Sequence, residues 1–73
     1  MDMKELRERV DLSPEAVAVA LSVAVSTVRN WEAGTTEPRP GVTSLPMYLE
    51  VYGCTLSELV EAAKESLQKR SAK

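Results

Sequence analysis

A chain of 73 residues, 44% apolar and 27% charged, makes one small globular domain with a single modest core, whose stability is slim enough that oligomerisation would help. One cysteine and no histidine exclude an internal disulfide and a Cys/His zinc site. The net charge of −2 weighs against a nucleic-acid partner, whose usual sign is a basic footprint, although local placement counts for more than the sum.

The opening segment MDMKELRERV is charged throughout, unlike a signal peptide or membrane anchor, and the longest apolar run, residues 16–21, is too short to span a bilayer. A cytoplasmic protein without a membrane partner is expected. The first predicted helix covers about residues 3–10. Asp2 caps it, Glu5 completes a capping box, and Leu6 and Val10 form its inward stripe.

The segment SPEAVAVALSVAVSTVRNWEAG, residues 13–34, holds two short helices across a tight turn. Ser13, Pro14 and Glu15 start the first, at 14–21, and Leu12, Val17, Ala18 and Leu21 share one face. The alternation AVAVA at 16–20 resembles a strand, but the flanking caps and helical spacings agree on helix. In the second helix, at 24–33, Ala24, Val28 and Trp31 fall on one side and Ser26, Arg29, Asn30 and Ala33 on the other. A buried seam behind a polar Arg–Asn–Ser row is what a helix needs to enter a DNA major groove. Gly34 ends this helix.

Residues 34–43 form a loop marked by Pro38, Pro40 and Gly41. A fourth helix at about 45–52 is capped by Thr43 or Ser44, tolerates Pro46 in its first turn and stops at Gly53. Thr55 and Glu58 make a second capping box for a fifth helix, whose stripe of Leu56, Leu59, Val60, Ala63 and Leu67 carries it to about Ser66 or Lys69. Residues 1–70 form one domain and 71–73 a frayed tail. With no phenylalanine, the core rests on Leu and Val, with Trp31, Tyr48 and Tyr52 as its bulky members. Cys54 is a small packed residue, and Lys64, Lys69, Arg70 and Lys73 are a helix end whose cations suit the C-terminal dipole. No Gly-rich phosphate loop or paired carboxylate site points to an enzyme, and no cofactor is implied.

These features together resemble the helix-turn-helix family typified by the lambdoid phage repressors and Cro, often called Xre-like. The resemblance rests on LRERV at 6–10, Leu12 and Ser13, Ala18, Leu21, Val23, STV at 26–28, WEAG at 31–34, Glu37 and Pro38, and YLEVYGCTLSEL at 48–59. It implies an all-α, compact five-helix bundle of the lambda-repressor-like type. It also implies a transcription regulator that binds double-stranded DNA as a homodimer, helix 3 lying in the major groove. The base-facing positions are then Val25, Ser26, Arg29 and Asn30. Thr35, Thr36 and Arg39 in the following loop would touch the DNA backbone.

The chain also departs from the family pattern. Pro14 stands where Gln usually opens helix 2, Ser22 where the turn commonly has Gly, Ala24 where Ser often caps helix 3, and Val25 where Arg or Gln is common. A left-handed backbone at Ser22 would therefore be strained. Between Ser13 and Arg39 only Arg29 and Arg39 are basic, against Glu15, Glu32 and Glu37, so phosphate contacts are few. Val19 and Val25 are read as pointing away from the seam, a hint of a protein contact. The alternative function is accordingly a helix-turn-helix scaffold used as a protein–protein interaction module with weak or no DNA binding.

Overall fold

A computed structural model describes residues 1–71, with side chains through Gln68. Five helices follow in order: α1 Met3–Arg9, α2 Pro14–Leu21, α3 Val25–Ala33, α4 Leu45–Tyr52 and α5 Leu56–Ser71. No strand occurs among the described residues, so the all-α expectation holds and AVAVA is helical.

Both predicted capping boxes form. Asp2 accepts from the Glu5 N–H at 2.9 Å while Glu5 accepts from the Asp2 N–H at 3.0 Å. Thr55 and Glu58 exchange the same pair of bonds at 3.2 and 2.9 Å. Each box satisfies two amides that a helix start leaves without intrahelical partners. Ser13 caps α2 by accepting from the Ala16 N–H at 3.1 Å. Helix α4 starts differently from expectation. Ser44 occupies the cap position in a helical backbone and its side chain makes no cap bond. The Gly41 carbonyl instead accepts from the Ser44 and Leu45 amides at 3.0 and 2.9 Å, so a backbone turn winds directly into the helix. Helix α5 runs to Ser71, beyond the expected stop, and the tail at 72–73 lies outside the described residues.

The core draws Met3 and Leu6 from α1, Val17, Ala18 and Leu21 from α2, Val28 and Trp31 from α3, Tyr48 and Tyr52 from α4, and Leu59 and Ala62 from α5. Trp31 and Tyr48 meet with ring centroids 5.9 Å apart and planes tilted by 43°. Met3, one turn before Leu6, takes the inward place expected of Val10, which is half-buried at the C-cap of α1. Val10 has a separate role, since its Cγ1 would lie 3.0 Å from a Cβ added at Gly53. Gly53 has φ +58°, so both backbone conformation and space favour glycine there.

Polar ties complete the closure of α1 on the rest. The buried Ser66 hydroxyl accepts from the Met3 N–H at 3.0 Å. Arg9 donates to Glu58 at 2.9 Å and to the Gly53 carbonyl at 2.9 Å. The Arg9 hydrogen bond, followed by the Thr55 amide, lowers the Glu58 carboxyl to about 2. Beneath these, the buried Tyr52 hydroxyl has no hydrogen-bond partner among the described residues, and burial pushes its phenol upward in pKa.

The turn joining α2 to α3 carries the strain anticipated at Ser22, which sits at φ 58° and ψ 42°. Its amide returns to the Val19 carbonyl at 3.2 Å and the Val23 amide to Ala18 at 3.0 Å, so the left-handed residue closes α2. A left-handed side-chain-bearing residue costs roughly 1–2 kcal/mol. Ser22→Gly is therefore expected to raise the unfolding free energy by about 1 kcal/mol, visible as a higher denaturant midpoint at unchanged slope. An equal or lower midpoint would show that Ser22 adopts this backbone without penalty.

Candidate nucleic-acid interface

Helix α3 is held from behind and open in front. Val28 and Trp31 are buried, while Ser26, Arg29, Asn30 and Ala33 are exposed. This divides the helix as its sequence periodicity predicts, with two exceptions. Ala24 is exposed, because it precedes the helix in an extended conformation (φ −70°, ψ 147°) and the helical wheel does not apply to it. It also supplies no side-chain cap, as its methyl group dictates. Val25 is half-buried and packs against the core, so it does not point away from the seam as expected. It stands three residues before Val28 and hence about 60° from it around the axis, at the border of the buried stripe. Val19 does face outward, at 80% exposure.

Helix α3 is anchored by a nearly buried ion pair. Arg7 Nε donates to Glu32 Oε2 at 2.6 Å and Nη2 to Oε1 at 3.2 Å, joining α1 to α3 through a two-pronged contact. Its Nη1 donates to the Leu12 carbonyl at 2.8 Å, which also fixes the chain entering α2. Both side chains are close to fully buried, and the Glu32 hydrogen bond strengthens the guanidinium's hold on its proton. Glu32, one of the acidic residues that weigh against DNA in the sequence, is turned inward in the fold and neutralised by Arg7.

After α3, Gly34 adopts φ 79° and the amides of Thr35 and Thr36 both return to the Asn30 carbonyl, at 3.0 and 3.4 Å. That turn sets the two threonines beside Arg39 around a shallow cleft of about 530 Å³ with a mixed polar and apolar lining, Thr27, Trp31, Glu37 and Tyr48 standing in its wall. Thr35, Thr36 and Arg39 are thus brought together, and Thr27 joins them. Thr27 lies at the half-buried edge of α3, where periodicity alone favours neither the core nor the surface.

An exposed helical face with polar side chains, a packed first helix across a tight turn and a polar loop beside it together make a two-helix reading head. A family model described as Helix-turn-helix matches residues 3–59, most of the chain. The chain belongs to the helix-turn-helix family, in its Cro-type, Xre-like branch. The family is one of DNA-binding transcription regulators. The five helices are the lambda-repressor-like all-α fold. No curated protein and no solved structure matches this helix-turn-helix chain.

Charge on the reading head is closely compensated. Arg29 Nη2 donates to Glu15 Oε2 on α2 at 2.9 Å, with both side chains 61% exposed. Arg39 Nε lies 3.8 Å from Glu37 Oε1. With Arg7 on Glu32 and Arg9 on Glu58, all four arginines whose side chains are described are paired with a glutamate. On α5, Leu56 and Val60 are 50% and 42% exposed. With Ala63, Leu45, Pro38 and Pro40 they line an apolar groove of about 260 Å³. Leu67, from the same stripe, is half-buried. No helix among the described residues is long and apolar enough to cross a membrane, and no cluster of three His, Cys, Asp or Glu side chains there could hold a metal ion. Cys54 is half-buried against the core, and burial raises its thiol, which disfavours the reactive thiolate.

Proposed function

We propose that this protein is a sequence-specific regulator acting as a homodimer, with α3 in the major groove and α2 across the backbone. The observation that carries this reading is the division of α3, where Ser26, Arg29 and Asn30 are exposed together in front of buried Val28 and Trp31. Arg29 would read a guanine through O6 and N7, and Asn30 an adenine edge or a phosphate. Ser26 would meet a base or phosphate, while Val25, half-buried, would offer an edge to a thymine methyl. Thr35, Thr36 and Arg39 would hold the DNA backbone beside their cleft.

The exposed apolar side of α5, with Leu56, Val60, Ala63 and Leu67, is the surface we assign to the dimer contact. Two copies joined there would present their recognition helices about 34 Å apart, one helical turn of a palindromic site. Regulation would follow from occluding a promoter or touching RNA polymerase.

Selection from a random duplex pool at low and moderate salt tests the reading. The wild-type protein is expected to enrich a motif, with affinity falling as salt rises. Arg29→Ala should lose about 1–3 kcal/mol on the enriched site, or relax preference at one base pair. No enrichment even at low salt, with Arg29→Ala indistinguishable, would replace this reading by the protein-interaction module. The observation favouring that second reading is Val19, an apolar side chain 80% exposed on α2.

A further inference from the structure

The ion pair between Glu15 and Arg29 joins the two helices of the reading head at their solvent face. Glu15 lies in the first turn of α2, and Arg29 near the middle of α3, fourteen residues later. The bond occupies Nη2 and leaves further donors of a five-donor group for another partner. Both side chains are well exposed, so the pair is readily exchanged, with an equilibrium bias of no more than about fivefold.

That placement has different consequences for two ways of touching DNA. A phosphate that accepts from Arg29 brings its own negative charge beside the Glu15 carboxylate, so it is repelled or must push that carboxylate aside. A guanine edge can accept from the remaining donors while Glu15 keeps its bond and fixes the direction of the fork. We infer that Glu15 is a specificity-determining residue: it positions Arg29 for a base edge and penalises binding to the backbone alone. This inference rests on the proposed role of Arg29 as a base reader. Glu15 itself touches no base; it acts through Arg29.

The test is a cycle of wild type, Glu15→Gln, Arg29→Ala and the double variant, each measured on the wild-type-enriched duplex and on random duplex across a salt series. Thermal melting confirms that the compared proteins are folded. Glu15→Gln is expected to raise affinity for random DNA about three- to fivefold with a steeper salt dependence. Affinity for the enriched site should change less than about twofold, so the ratio of specific to random binding falls about threefold. In the R29A background the same substitution should leave that ratio unchanged, and it is this dependence on Arg29 that altered net charge or stability would not produce. If Arg29→Ala lowers the ratio but Glu15→Gln leaves it intact, or lowers it equally in both backgrounds, the inference about Glu15 is overturned and Arg29 remains the reader. If Arg29→Ala leaves the ratio intact, or no duplex is enriched, the base-reading role falls and the inference with it.

Discussion

Arg7→Ala is expected to destabilise the domain by about 3–5 kcal/mol, the cost of stranding a buried carboxylate. Glu32 would lose both of its Arg7 contacts while remaining nearly buried, and the Leu12 carbonyl would lose its guanidinium donor. A domain of this length has a total stability of only about 4–11 kcal/mol at typical values per residue, so much of the population would unfold at moderate temperature. Urea or thermal denaturation followed by circular dichroism gives the measurement. Replacing both partners by apolar side chains of similar length, as in the double variant R7M/E32M, should recover much of the loss, because no charge is then left buried. A loss below 1 kcal/mol for Arg7→Ala would mean that Glu32 rehydrates easily and that the pair does not hold α3.

Trp31→Ala should cost a similar amount, about 3–5 kcal/mol. The indole is 4% exposed, packs against Tyr48 and forms the back of the helix whose front carries Arg29 and Asn30. Removing it leaves a cavity under α3 that this short helix cannot collapse to fill. Trp31→Phe should cost clearly less, since a ring is retained against Tyr48. As the chain has a single tryptophan, its fluorescence reports this site in the wild type, whereas the variants need circular dichroism. Wild-type-like melting of Trp31→Ala would contradict the core assignment.

Much of the fold is written in local sequence, for a physical reason. The two capping boxes link residues three apart, so Asp2 with Glu5 and Thr55 with Glu58 can be read without knowing the tertiary structure. Glycine stops at Gly34 and Gly53 are similarly local, as is the strain at Ser22 once the turn is placed by resemblance. Burial of Arg7 was not legible in LRERV, where it stands among exposed Glu8 and Arg9; its partner lies 25 residues away and only packing of α1 on α3 joins them. The same applies to Ser66, which meets the Met3 amide across 63 residues. Asp11 takes a left-handed φ of 58° that nothing in its neighbourhood announced. Within the interface, the polar face of α3 followed from periodicity, but Val25 sits at the stripe's edge, where a wheel has least resolving power. Glu15 and Arg29 were visible as opposite charges in the same motif, yet their meeting depends on the angle between two helices.

The pairing of Arg29 and Arg39 with glutamates bears on how such a regulator is distributed in a cell. Genomic DNA offers about 10⁶–10⁹ competing sites to any protein with appreciable backbone affinity, and strongly basic regulators are largely held there. A reading head whose exposed cations sit beside glutamates would be drawn into that reservoir less strongly. With the sequence-specific role proposed above, more of its copies would stay free in solution, and a small number of molecules could fill one operator. The cost falls on arrival, since weak long-range attraction slows the encounter and shortens sliding along the duplex.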